Sequence, residues 1–220
     1  MKHKRFLKNQ VRLEIQTALT NIPLMSLVTI PIFFVEVHGY SRLYDHIDEY
    51  GWIYYIFSIF FYIFFLDMSI YFIHRALHHP LLYKSVHKPH HKWLVPTPYA
   101  SHAFYWIDGF LQSTPYHIFV FLFPLHKWTY LALFIFVNFW TVSIHDGYNA
   151  VPTWLQNIVN GSAHHTDHHL YFNFNYGEFF TLWDIIGGSH RNPRPDLKTV
   201  MDKDLDERIS ETAEVIEKLE

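Results

Sequence analysis

The chain has 220 residues, half of them apolar and 20% aromatic but only 17% charged, where a soluble domain usually carries about a quarter charged residues. It has no cysteine, which excludes a disulfide scaffold, thiolate-bound zinc, an iron–sulfur cluster and a cysteine nucleophile. A formal net charge of −3 gives no general attraction for nucleic acid, whereas 18 histidines, more than the 17 lysines and arginines together, point to a membrane protein that holds metal with imidazole.

In chain order, residues 1–14 carry Lys2, Lys4, Arg5, Lys8 and Arg12. No apolar stretch follows closely enough for a cleaved signal peptide, so this segment reads as a basic cytosolic flank. Residues 22–37 are apolar up to Glu36 and predict a first crossing; the loop 39–50, with Asp45, Asp48 and Glu49, then lies on the far side. Residues 51–66 hold no charge and the pattern continues past Asp67 to Ile73, a second crossing. Residues 110–125 and 128–144, parted by the turn-like Pro124-Leu125-His126-Lys127, predict an out-and-back hairpin. A membrane helix needs about 20 apolar residues, or about 17 at the short end, and these runs are apolar all round rather than along one stripe. The expectation is an all-α, polytopic membrane helix bundle with about four transmembrane helices. Arg75, Lys84, Lys88, Lys92, Arg191 and Arg194 then emerge on the cytosolic side, in keeping with the positive-inside bias. From Asp196 onward nine acidic residues face four basic ones, dividing the chain into a membrane domain, 1–195, and a charged, solvated tail, 196–220.

The histidines fall in clusters: His74, His78 and His79; His87, His90 and His91; His164, His165, His168 and His169; with His145 at the end of the last apolar run. Residues three and four apart share a helix face, so 74 with 78, 87 with 90 and 91, and 165 with 168 and 169 are each expected to aim at one point. The crossing parity puts all of them on one side of the membrane, as a cytosolic His-rich helical cap. His117 and His126 stand alone and read as core or interface residues. Imidazole without thiolate suits zinc, copper, iron or nickel, and nine or more histidines are too many for a four-ligand structural zinc; a dinuclear site fits better. The paired Glu-x-x-His pattern of carboxylate-rich di-iron bundles is absent. Asp67, Asp146, Asp167 and Asp184 are available to fix imidazole tautomers. A membrane metal transporter, the reading from another class, would place relay ligands inside the runs, whose interiors hold little ionisable besides Asp67 and His117.

The spacings His-x3-His-His, His-x2-His-His and a later His-x2-His-His resemble the membrane fatty acid hydroxylase and sterol desaturase superfamily. Within it, LHHPLLYKSVHKPHHKWLVPTPYASHAF (77–104), DGFLQSTPYH (108–117), FPLHK (123–127), WTVSIHDG (140–147) and NGSAHHTDHHLYFNFNYGEFFTLWDIIGGS (160–189) resemble the Δ7-sterol 5(6)-desaturases, or lathosterol oxidases. The likeness runs from about Phe6 to about Pro193, and members carry a longer N-terminal region with a further hydrophobic segment. It implies an iron-dependent, multi-pass enzyme of the endoplasmic reticulum membrane that introduces a C5(6) double bond into a Δ7-sterol. It implies O2 as oxidant, two non-haem iron ions, and electrons from NAD(P)H through a reductase and cytochrome b5. Carried over residue by residue, the ligand motif falls on His74, His78, His79, His87, His90, His91, His165, His168 and His169, with His145, His164 and His102 matching further family histidines. Where the family reads His-Pro after SHAF, this chain has Tyr105-Trp106. A lipid hydroxylase or sterol C4-methyl oxidase of the same superfamily would share the boxes and the metal and differ in product. TPYASHAF and the block 173–183 flank the boxes as candidates for the sterol pocket, and Lys84, Lys88, Lys92 and Arg75 as a patch for acidic cytochrome b5.

Overall fold

The computed structural model describes residues 6–147 and 151–193; the charged segment 196–220 lies outside the described residues. The first helix, α1, spans Gln10–Val35 and ends in a π-helical turn, Glu36–Tyr40. It starts twelve residues before the expected crossing because its polar first turn is itself buried: Gln10 Nε2 donates to Glu14 Oε1 at 2.7 Å and to the Val95 carbonyl at 2.8 Å, and the Thr97 hydroxyl also donates to Glu14. Further along, Ser26 and Thr29 bond back to the carbonyls of Ile22 and Met25. No hydroxyl there is left bare towards hydrocarbon, where an unsatisfied polar group is costly. Helix α2 spans Gly51–Leu77, a short α3 spans Pro80–Leu82, α4 spans Trp106–Leu122 and α5 spans Lys127–Ile144.

By length and composition the segments Gln10–Tyr40, Gly51–Leu77 and Lys127–Ile144 are long and apolar enough to cross a membrane. The fourth expected run is α4, whose 17 residues sit at the short end for a span and include Asp108 in the first turn. The outer faces carry exposed Leu27, Ile30, Ile53, Phe60 and Phe139. Such a surface is an aggregation hazard in water and the expected lipid contact in a bilayer. The core lies where α2 meets α4 and α5, around Tyr62, Leu66, Ile70, Phe119, Val137 and Phe179. The protein is thus a helical membrane bundle, as its apolar runs predict.

Two details escape the hydropathy pattern. Two-residue strands β1 (Leu43–Tyr44) and β2 (Leu125–His126) pair in parallel, Leu43 with Leu125, so the predicted turn at 124–127 is tied to the distant 39–50 loop. Nearby, buried Glu36 accepts from His117 Nδ1 at 2.6 Å and from the Tyr130 hydroxyl at 3.2 Å. His117 therefore links α1 to α4, a packing role as its isolation suggested.

After α5, helix α6 spans Ser162–Tyr171 and α7 spans Leu182–Ile186. The chain between them dips alongside α2: Phe179 N and Phe180 N both donate to Asp67 Oδ1, at 2.8 and 3.1 Å, and Trp183 lies against Phe64 and Phe72. Asp67 is seven residues below His74 on α2, about 10 Å along the axis. Non-helical backbone at that depth needs its amides satisfied within the protein. Asp67 does this for two of them, Asp184 accepts from Tyr176 N and Gly177 N at 2.8 Å each, and Trp140 Nε1 donates to the Glu178 carbonyl at 2.7 Å.

Candidate metal centre

Four elements deliver imidazoles to one place. The last turn of α2 supplies His74, with His78 at its C-cap. Pro80 then starts a new turn, and the chain folds back through a π-helical turn, Tyr83–His87, and a 3₁₀ turn, His90–Lys92. His145 caps α5, and α6 adds His165, His168 and His169. Residues 162–170 of α6 are all buried although most are polar, a cost that a common centre would offset for the ring nitrogens of His165, His168 and His169.

Nine histidines form two groups. In the first, His74, His78, His87, His91 and His168 place one nitrogen each within 4.8 Å of all the others. Neighbouring Nε2 atoms are 3.1 Å apart for His74 and His87, 3.0 Å for His87 and His91, 3.1 Å for His91 and His78, and 3.2 Å for His91 and His168. His90, His145, His165 and His169 form the second, with Nε2 atoms 2.9 Å apart for His145 and His165, 3.1 Å for His165 and His169 and 3.4 Å for His90 and His145. Donors about 2.1 Å from one ion stand about 3.4 Å apart in a tetrahedron, so each group has the dimensions of an ion site.

The tautomers carry the argument further. Nδ1 of His74, His168 and His145 faces the carbonyls of Tyr176, Phe174 and Thr141 at 2.9, 2.6 and 2.7 Å. A carbonyl only accepts, so these Nδ1 atoms hold the proton and each Nε2 keeps a lone pair. His87 Nδ1 lies 2.7 Å from Asp108 Oδ2, both side chains fully buried. His74, His87 and His168 in the first group and His145 in the second thus turn an Nε2 lone pair toward their neighbours, an arrangement that a cation between them would stabilise. Burial first, and neighbouring rings second, hold His90, His91, His165, His168 and His169 well below the usual imidazole range. Burial likewise lowers His78, and His145 to about 4. Neutral, Nε2-directed imidazole is the form that ligates metal.

The split differs from the expectation that each box aims at one point. His87 and His91, four apart, go to the first group and His90 to the second; His165 and His169, four apart, go to the second and His168 to the first. The i,i+4 pair stays together, while the intervening residue is turned well away from its neighbour one position on. Three further expected ligands lie outside both groups. His79 is exposed, because the helix has ended and its Nδ1 caps α3 by accepting from Leu81 N. His102 lies on the turn Pro98–His102, its ring between Ser101 and Asn138. His164 points off the ligand face of α6 towards His190, ring centroids 5.9 Å apart.

A cavity adjoins the centre. His74, His90, His145 and His165 form one part of its wall, and Met25, Tyr116 and Phe134 of the long apolar helices, with Phe104 just before α4, another. From His145 to Phe134 it follows about 16 Å of α5. Gly109 keeps this wall tight: a Cβ there would lie 2.1 Å from the Phe104 ring and 2.8 Å from Met25 Sδ. Glu178 also lines it, held by Thr141 Oγ1 at 2.6 Å.

The fatty acid hydroxylase family model matches residues 59–189, from the middle of α2 through α7 and across all nine clustered histidines. The chain belongs to the fatty acid hydroxylase family. Among curated proteins, a human lathosterol oxidase is 59% identical over 195 residues, 88% of this chain and 65% of that protein. A Delta(7)-sterol 5(6)-desaturase of Schizosaccharomyces pombe is 55% identical over 207 residues, 93% of this chain and 66% of that protein. The chain thus spans just under two thirds of the length of these relatives. No solved structure matches it.

Within this family framework, an acid that meets a clustered histidine is Asp108, which the sequence did not single out. Asp67 and Asp184 instead secure the segment 176–180, and Asp167 pairs with Arg191, whose Nε donates to it at 2.7 Å. The signal was present in retrospect: Asp108 opens an otherwise uncharged run, and a buried acid at a helix start implies a cationic or donor partner. Tyr105, where the resemblance led to an expectation of histidine, is the N-cap of α4 and lies outside both groups.

Proposed function

We propose that this chain is a sterol C5-desaturase of sterol biosynthesis that removes the hydrogens at C5 and C6 of a Δ7-sterol, the membrane domain 1–195 carrying the activity. The observation that supports it most is a continuous likeness to lathosterol oxidases over 88% of the chain, coinciding with two buried imidazole groups that open on a cavity reaching between apolar helices. The His-rich cap would face the cytosol of the endoplasmic reticulum membrane. His79, His102 and His164 are left out of the proposed ligand set, which is the nine clustered histidines.

An unactivated C–H bond is beyond any side chain, and two iron ions held by these groups would supply the redox chemistry with O2. In balance, the sterol gives up two hydrogens, a donor gives two electrons with two protons taken from water, and O2 leaves as two waters. The carbonyls of Tyr176, Phe174 and Thr141 and the carboxylate of Asp108 hold the imidazoles in their ligating tautomer. The burial of α6 keeps bulk water from the centre. Met25, Phe104, Tyr116 and Phe134 offer an apolar wall to a lipid entering from the bilayer. Lys84, Lys88 and Lys92 are exposed beside the histidine turns and suit an acidic electron donor such as cytochrome b5, fed by an NAD(P)H-dependent reductase.

The test is sterol profiling in yeast that lacks its own C5-desaturase and expresses this chain. A Δ5,7-sterol is the expected product. A hydroxylated or C4-oxidised sterol in its place would move the chain to another reaction of the family. No new product from protein that is inserted and iron-loaded would overturn the substrate reading.

A further inference from the structure

Glu178 stands at an unusual place. Its backbone is fixed without its side chain, by Trp140 Nε1 on its carbonyl and by Asp67 on the two following amides. Its carboxyl receives Thr141 Oγ1 on Oε1, and among the described residues no group donates to Oε2. Thr141 is one turn before His145, whose Nδ1 donates to the Thr141 carbonyl. Tyr176, two residues before Glu178, holds His74 through its own carbonyl. The carboxyl therefore lines the same cavity as His74 of the first group and His90, His145 and His165 of the second.

A Δ7-sterol bears a single polar group, the ring-A hydroxyl on C3. Three single bonds of about 1.5 Å separate that oxygen from C5, so the two atoms lie at most about 4 Å apart. Adding a hydrogen bond of about 2.8 Å, whatever receives the hydroxyl must stand within about 7 Å of the reacting carbon. That excludes the far end of the cavity. Nearer the centre, Ser101 Oγ donates to the Pro98 carbonyl, Asn138 faces His102 and the Phe134 carbonyl, and Gln112 is tied to Asp108. A hydroxyl has one hydrogen bond to donate, and the Glu178 oxygen that receives no donor is a charge-assisted acceptor, stronger than the hydroxyls of Tyr116 and Ser101 on the same wall.

We propose that Glu178 receives the ring-A hydroxyl and so sets which sterol carbons face the histidines; this rests on the sterol C5 reading above. Glu178 is then the residue that distinguishes a 3β-hydroxysterol from the same skeleton without the hydroxyl. An alcohol bound to a buried carboxylate is favoured over its absence by about 10- to 100-fold.

The experiment compares a 3β-hydroxy-Δ7-sterol with its 3-deoxy analogue, by kcat/KM in the iron-loaded enzyme and by equilibrium binding to the same protein kept free of O2. The wild type should prefer the alcohol by about 10- to 100-fold in both measurements. Glu178→Leu should bring the ratio to within about threefold of unity, Glu178→Gln should retain most of it, and iron content should be unchanged in both. Glu178→Asp keeps the charge but withdraws it by one methylene, and should lower the ratio even if the leucine variant does not fold. Thr141→Val, which loosens the carboxyl without removing it, should keep the preference. A leucine variant that retains the wild-type preference, or a wild type that uses both sterols alike, overturns the role of Glu178 and leaves the desaturase reading standing. A wild type that neither binds nor converts either sterol overturns the desaturase reading, and this role with it.

Discussion

Asp108 offers the sharpest test of how the centre is held. Its Oδ2 meets His87 Nδ1 at 2.7 Å and its Oδ1 receives Gln112 Nε2 at 2.8 Å, with Asp108 and His87 fully buried. Asp108→Asn keeps the shape and, with the Gln112 amide reversed, an acceptor for His87. What it loses is charge. A hydrogen bond to a charged group contributes about 1.5–3 kcal/mol and a neutral one about 0.5–1.5 kcal/mol, a difference of about 1–1.5 kcal/mol, or roughly tenfold in affinity. Asp108→Ala also strands a buried N–H, and should cost towards the upper end of the roughly 10- to 100-fold range seen for such outer partners. The assay is metal retention by mass spectrometry after equilibrating detergent-solubilised protein against graded chelator, with helicity checked by circular dichroism. Because His87 serves only the first group, a single ion should be released while the second stays. A folded Asp108→Ala protein that retains both ions at every chelator concentration would refute the reasoning.

The division of the boxes predicts that His91→Ala and His169→Ala each leave about half of the wild-type metal content, and that the double variant leaves almost none; His79→Ala, on an exposed cap outside both groups, should leave it unchanged. Equal losses from all three single variants would contradict the split. Gly109→Ala drives Phe104 from the cavity wall, so turnover should fall at least tenfold, as expected when an overpacked site is displaced, while metal content holds; normal turnover would show that this wall does not border the substrate. For topology, His46→Cys and Leu81→Cys, both at exposed positions, should react with an impermeant thiol reagent from opposite sides of the membrane, and labelling from the same side would overturn the odd number of crossings between them.

Much of this protein is legible in its sequence because membrane helices and histidine spacing are local signals. An apolar run that cannot form an amphipathic stripe has to be a buried or lipid-facing helix, so α2 and α5 follow from composition, and α4 follows almost as well despite its short span. Box spacing and crossing parity bring nine histidines to one end of the bundle. Tertiary contacts decide the rest. The turn at 124–127 belongs to a strand pair with residues 43–44, set by a partner some 80 positions away that hydropathy does not report. The early start of α1 depends on Thr97 and Val95 reaching Gln10 and Glu14.

The centre shows the same boundary at finer scale. By itself the sequence determined that the clustered candidate ligands are imidazoles, that cysteine has no part, and that they gather at the ends of apolar helices, since residue type and helical period are properties of short segments. Only the tertiary structure decided that each box is shared between two groups of imidazoles, that His79, His102 and His164 lie outside both groups, and that Asp108 rather than Asp67 or Asp184 meets a clustered ring. The reason is geometric. One residue along a helix turns a side chain by about 100°, so the facing elements α2, α5 and α6 and the 83–92 turns determine which of two adjacent histidines finds which centre, and a periodicity within one segment contains no record of where the others stand.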